Sequence, residues 1–472
     1  MKQQGRYTVF AFAVCMLLST CSYSQVYTRA PEVLSWIQPE MHDPGYWIAR
    51  MEQPDEIILT SEEIERMNDD YLERITSPEP FKNLSDENKP DLFYWWPGMV
   101  MFVPDLHSFS DGAVADTVKF RLQAQINYLR SMTFGNALAV EYSKQDIDAI
   151  ENNMALDLVK DAVEIRDGIT VRNARLRNNT SFFPEQVGMM QTGKSRWDGW
   201  NIGIIEIGQP VTALHNSRSG EYLFVLCDIG YGWVRSEDVA FGSKQSIDDF
   251  VNTGDFIVCT GDRVQFYTDE SCTCASGWFG MGTCLPLASK ANPRMIQVPL
   301  RKINGRFTIE TAWLRDSRDV HIGWLPYTRR NIVETAFKLL GTTYDWSGAW
   351  YGRQHETTYR DIFACFGFKL PNYGALFSFY GNDTDILHPE VGTVQQFREI
   401  LTHEPFVTIQ TCGSHAQLLL GDYKGSPIVF DQHGYGYVDS NSTDREIRRC
   451  SIGDMRLPPY FLTKDITFLT LK

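Results

Sequence analysis

The hydrophobic pattern of the chain changes period twice, and each change limits what the next segment can become. Up to about Asp167 the apolar residues recur at helical spacing. Thr60 with Glu63 three residues on reads as a reciprocal helix start, and Ile64 and Met67 follow on one face. Proline-rich joints such as Ser77-Pro78-Glu79-Pro80 break this pattern. From Ile169 the period drops to two, with short runs at Thr170-Val171-Arg172, 210–215, 222–225 and Gly232-Trp233-Val234 between Gly and Asn turns. Several short strands so close together predict a small barrel. A second set, 255–258, 307–309 and 322–325, predicts another, and the Gly-Trp-hydrophobic ending at Gly232 and Gly323 relates the two.

After Pro326 the pattern turns helical again. Asn331 is expected to cap a helix whose apolar face is Ile332, Val333, Ala336, Phe337 and Leu340, with Gly341 as its stop. A second amphipathic helix is expected over 357–366, followed by strands at 416–420 and 427–430. Helices followed by antiparallel strands make an α+β domain.

With 472 residues, 43% of them hydrophobic, the chain exceeds a single core and should divide into three or four domains. The basic start Met1-Lys2-Gln3-Gln4-Gly5-Arg6 and the apolar run from Val9 to Leu18 have the layout of a secretory signal peptide. Two processing sites fit: Ser22-Tyr23-Ser24 before Gln25, or a lipoprotein-type box, Leu18-Ser19-Thr20-Cys21, with lipid on Cys21. The expected location is therefore the periplasm or cell envelope. No later stretch is long and apolar enough to span a bilayer. The net charge of −15, spread without a basic block, argues against nucleic acid and anionic lipid surfaces as partners.

Of ten cysteines, Cys15 and Cys21 lie in or beside the leader, and the other eight would meet an oxidising compartment. Cys272, Cys274 and Cys284 cluster in a Gly-rich stretch without zinc-finger partners, so a surface disulfide is expected there, its pairing open. The aromatic run Phe93-Tyr94-Trp95-Trp96 reads as a core staple or a sugar-stacking platform. Trp197, Trp200 and Tyr222 either wall a groove or fill a barrel core.

Four segments carry a more specific pattern. They are 341–348 (Gly-Thr-Thr-Tyr-Asp-Trp-Ser-Gly), Arg360-Asp361-Ile362-Phe363 leading into 366–371, 413–421 around His415, and 425–430. In this order and spacing they resemble the NlpC/p60 family of cell-wall peptidases, in the subgroup with a helical stabilising domain and two SH3-like barrels ahead of the peptidase. The resemblance implies a multidomain chain: a signal peptide at 1–24, a helical N-terminal domain at 25–168, SH3-like β-barrels at 169–246 and 247–328, and a C-terminal α+β papain-like domain at 329–472. It also implies peptidoglycan stem peptides as the ligand, cut by the family between D-glutamate and the diamino acid.

The family's chemistry needs a thiolate at a helix N-terminus, a histidine on an adjacent strand as base, and a third polar group to orient it. By that resemblance the family's Asp-Cys-Ser falls on Gln354-His355-Glu356, so His355 stands at the nucleophile position. His415 matches the catalytic base and Asp431 its orienter, while Tyr344, Gln354 and Glu356 fall at substrate-binding positions. Cys365 lies ten residues beyond His355, about 15 Å away by helical rise, and reads as a buried structural thiol. Cys412, three residues before His415, is the nearer thiol. Three readings follow. The first is a catalytically degenerate protein that binds stem peptides and needs no cofactor. The second is an active γ-D-glutamyl–diamino acid endopeptidase, working through another thiol or through zinc held by His355, His415 and Asp431 with His433 or Glu356. The third is a non-enzymatic partner-binding protein.

Overall fold

The computed structural model describes residues 37–76, 106–108, 110–138, 140–181, 188–190, 198–316, 318–372, 377, 380, 385–388, 393–412, 415–433, 436–438, 444–455 and 465–472. The expected leader with Cys21, the joint at Ser77, the aromatic run from Phe93 to Trp96, and Trp197 lie outside these residues.

Seven antiparallel strands form the first barrel: β1 (Arg166–Thr170), β2 (Ala174–Arg177), β3 (Asn201–Ile205), β4 (Pro210–Asn216), β5 (Tyr222–Cys227), β6 (Gly230–Arg235) and β7 (Val239–Phe241). Their order is β3-β2-β6-β5-β4-β1-β7. Every residue of β5 is buried, because the strand is covered on both faces. Leu223, Val225 and Val234 point into the barrel. Tyr222, Phe224, Leu226, Tyr231 and Trp233 pack outward, against Val114, Val118, Leu122 and Ile126 of helix α3 (Asp111–Ser131) and Met154 of α4 (Lys144–Met154). Trp200 packs on Phe134 and Tyr142. Trp200 and Tyr222 are thus core residues, and the groove-wall alternative fails because N-terminal helices cover that side of the barrel.

The second set of strands is β8 (Phe256–Cys259), β9 (Arg263–Tyr267), β10 (Ala275–Gly280), β11 (Cys284–Pro286), β12 (Met295–Arg301), β13 (Phe307–Leu314) and β14 (Val320–Ile322). They pair as β11-β8-β14 and β10-β9-β13-β12 around one shared core. Gly323, at φ +67°, ends β14 before Trp324, so the strand is shorter than the sequence pattern implied. A helix that the pattern did not flag, α5 (Lys244–Val251), is capped by Ser243 and inserts Ile247 and Phe250 into this core. Cys272, Cys274 and Cys284 are all free thiols, which corrects the expected disulfide. Cys272 is buried beside Arg294, Cys274 is exposed, and Cys284 sits in the β8–β11 ladder.

The C-terminal part places α6 (Arg329–Phe337) and α7 (His355–Ala364) against a six-stranded antiparallel sheet. Its strands are β15 (Asp385–Leu387), β16 (Thr408–Cys412), β17 (His415–Tyr423), β18 (Ser426–Gln432), β19 (Cys450–Asp454) and β20 (Ile466–Thr470), in the order β15-β20-β16-β17-β18-β19. The cap of α6 is Thr328, whose hydroxyl accepts from the Asn331 amide at 3.2 Å, so Asn331 lies inside the helix. Two N-terminal helices, α1 (Pro44–Ile48) and α2 (Ser61–Thr76), share this core through Trp47, Ile64 and Tyr71. Each such side chain contributes about 1.5–3 kcal/mol of burial. Asn68 of α2 locks the turn after α7 by donating to the Gly367 carbonyl and accepting from the Lys369 amide. Among the described residues no helix is long and apolar enough to cross a membrane.

Candidate functional site

Helix α7 begins at His355 because Gln354 is extended and its amide donates to the Thr357 hydroxyl at 3.0 Å. The Gln354 side chain reaches the 345–348 segment, its Oε1 accepting from the Ser347 amide at 3.0 Å. The helix is pinned to the sheet by Tyr359, whose hydroxyl lies 2.7 Å from the Phe430 carbonyl and 3.2 Å from that of Ala416. This sets the first turn of α7 beside the start of β17.

There the His355 and His415 rings lie 3.8 Å apart, centroid to centroid, inclined at 44°. On the far side of His415, its Nε2 is 2.9 and 3.0 Å from the two carboxylate oxygens of Asp431. Gln417 donates to Asp431 at 2.8 Å and is itself held by Gln410 at 2.7 Å. The contact with Asp431 assigns the His415 proton to Nε2 and leaves Nδ1 as an acceptor, the tautomer of a general base. His433 Nδ1 is 3.3 Å from Asp431, and His355 Nδ1 is 4.0 Å from it. The Tyr344 ring packs on His355 at 4.9 Å. His355, His415 and Asp431 are 3%, 2% and 0% exposed, so the trio is enclosed rather than set in an open groove.

Enclosure governs the charges. Burial holds His355 well below the usual imidazole range, and the neighbouring His415 and His433 push the same way against the pull of Asp431. Burial brings His415 down to about 3 and also lowers His433. Asp431 is raised by the same loss of solvent, opposed by its His433 and His355 neighbours. The imidazoles are neutral at physiological pH, the form that accepts a proton or binds a metal. Among the described residues, His355, His415 and Asp431 form the group whose ligand atoms all fall within 4.8 Å of one another. Glu356 is buried but does not join that group.

The two alternative thiols are placed differently. Cys365 lies at the far end of α7, buried, with its thiol on the Cys259 carbonyl at 3.2 Å, and burial raises its pKa. Cys412 pairs directly across from His415 in the β16–β17 ladder and is buried.

A cleft that the sequence did not reveal lies beside Gln354, where β3, the second barrel and α7 meet. Arg353 is buried in it between Asp361, at 2.8 Å, and Asp262. Arg360 reaches Asp361 at 2.8 Å and Asn372 at 2.7 Å. Glu206 of the first barrel lines the same cleft. Its buried Oε2 has no hydrogen-bond partner among the described residues. Burial, helped by Asp361, raises Glu206 to about 7 against the pull of Arg360 and Arg353. Three segments far apart in sequence supply these groups, and no local spacing signals their meeting.

A helix terminus, a strand histidine and a buried carboxylate meet on an antiparallel sheet, in an α+β module preceded by two sets of short strands. Residues 191–235 match the family model described as an SH3 domain of the SH3b1 type. The whole structure aligns with that of an NlpC/P60 endopeptidase from Photobacterium damselae subsp. piscicida at a TM-score of 0.64 and 16% identity, over 90% of this chain and 96% of that one. An NlpC/P60 family protein from Bacillus cereus ATCC 10987 aligns over 64% of this chain and 98% of its own, at 17% identity and a TM-score of 0.41. No curated protein sequence matches the chain. The chain therefore has the NlpC/P60 fold with an SH3-like domain ahead of it, and the resemblance read from its motifs holds at the level of the fold.

Proposed function

We propose that this protein is an exported, NlpC/p60-type protein that binds peptidoglycan stem peptides and has lost thiol-dependent cleavage. The observation that carries this reading is the imidazole of His355 in the first turn of α7, packed against His415 where the family presents its thiolate. Loss of a nucleophile costs on the order of a millionfold in rate. A neutral, enclosed imidazole gives a substrate carbonyl no exposed nucleophile to approach.

Binding in this reading falls to the cleft beside Gln354. The family's aspartate at that position is expected to hold the free amine of the stem peptide. Gln354 lacks the charge, whereas Glu206 offers a carboxyl group lining the same cleft. Export belongs to the same reading, with the mature chain starting at Gln25 or carrying lipid on Cys21, as does the division at residues 168, 246 and 328. Titrating L-Ala-γ-D-Glu-diaminopimelate into the mature chain by calorimetry, with chelator present, tests the binding. Saturable binding that weakens at least tenfold in Glu206→Gln is expected. No binding by the folded wild type contradicts the reading.

A further inference from the structure

We propose that His355, His415 and Asp431 together hold a divalent cation of the zinc type. The inference rests on the reading that a histidine has replaced the nucleophile, because it is His355 that completes the ligand set.

Three elements bring the ligands together: the first turn of α7, the start of β17 and the end of β18. In a tetrahedral zinc site with bonds of about 2.0–2.2 Å, neighbouring ligand atoms lie roughly 3.4 Å apart. The His415–Asp431 contact at 2.9–3.0 Å must open slightly, and the His355–Asp431 distance of 4.0 Å must shorten by roughly as much. Both changes are within side-chain adjustment. Loading moves the His415 proton from Nε2 to Nδ1 and frees Nε2 to ligate.

Three further observations point to a cation. No lysine or arginine among the described residues lies within 4.0 Å of the buried Asp431; its ion-pair partners are His355, His415 and His433. A buried carboxylate surrounded by imidazoles is one negative charge without a full counter-charge, and burial of such a group is costly. In addition, His433 is enclosed, and its Nε2 has no hydrogen-bond partner among the described residues. The carboxylate is also oriented from behind by Gln417, which Gln410 holds in turn, as outer-shell groups orient metal ligands. Two imidazole nitrogens and one carboxylate oxygen favour zinc over magnesium or calcium, which prefer oxygen throughout.

The test uses the full mature chain carrying Cys274→Ser, which removes the exposed thiol, after dialysis against chelator. Zinc is titrated by calorimetry, and cobalt(II) is added separately to read the visible absorption of a tetrahedral site. One equivalent per chain, a tetrahedral cobalt spectrum and no response to magnesium are expected. His355→Ala and Asp431→Asn should each weaken binding at least a hundredfold. Should either variant fail to fold by circular dichroism, Gln417→Ala, which leaves the ligands in place, should still weaken zinc by about 10–100-fold. Absence of stoichiometric zinc, or zinc bound equally by the folded variants, overturns the proposal. Peptide binding in chelator is measured separately, so the two readings fail independently.

Discussion

The His415 ring is held between two buried groups: Asp431 at 2.9 Å from its Nε2, and the His355 ring 3.8 Å from its own centroid. His415 is thus oriented by a carboxylate, yet the group it faces is another imidazole. The triple change Gln354→Asp, His355→Cys and Glu356→Ser should generate thiol-dependent cleavage of a stem tripeptide, lost again on alkylation. Because the helix terminus and His415 with Asp431 are already in place, the gain over wild type should be at least a hundredfold, read by mass spectrometry of the products. The same triple change with His415→Ala should show no gain.

Stability of the first barrel should depend on Asp198. Its carboxylate takes the buried Arg177 guanidinium at 2.8 Å and accepts from the amides of Gly188 at 2.9 Å and Trp200 at 3.1 Å. Asp198→Ala removes one partner of a buried ion pair together with the acceptor for two backbone amides, which costs about 3–5 kcal/mol. Urea unfolding followed by tryptophan fluorescence, which reports on the nearby Trp200, should show the midpoint falling by that equivalent.

Glu206 makes stability depend on pH. Its folded pKa of about 7 lies above the ordinary 4.5, so the folded state binds the proton more tightly than the unfolded state does. Its contribution is fully present below pH 4.5 and is lost as pH rises through 7, to a total of about 3 kcal/mol. Wild-type unfolding midpoints should therefore fall between pH 5 and pH 8 more steeply than those of Glu206→Gln. Parallel pH profiles for the two proteins would contradict this.

Much of the architecture is legible in the period of the apolar residues, and particular residues show where that stops. Strands β4, β5 and β6 fall where the alternating runs lie, and Thr60 with Glu63 does start a helix, the Glu63 carboxylate accepting from the Thr60 amide at 2.8 Å. The meeting of His415 with Asp431 is readable because both lie on successive strands joined by a short turn. Trp200 and Tyr222 could not be assigned a side in advance, since the cover over them comes from a helix some hundred residues earlier for Tyr222. The cap of α6 shifted from Asn331 to Thr328 because the extended backbone of Thr328, not side-chain type alone, decides which hydroxyl meets the helix amides. The cleft with Glu206 and Arg353 needs three segments brought together by tertiary packing, and that information is not local.

Whether cleavage survives is decided most directly by incubating the mature chain with L-Ala-γ-D-Glu-diaminopimelate in chelator at neutral pH, with and without iodoacetamide, and weighing the products. The account predicts intact peptide in both arms, while calorimetry on the same sample shows that the peptide binds. Free diaminopimelate in the untreated arm that disappears on alkylation would contradict it. Such a result would make a thiol away from position 355 the nucleophile, with Cys412 opposite His415 first in line.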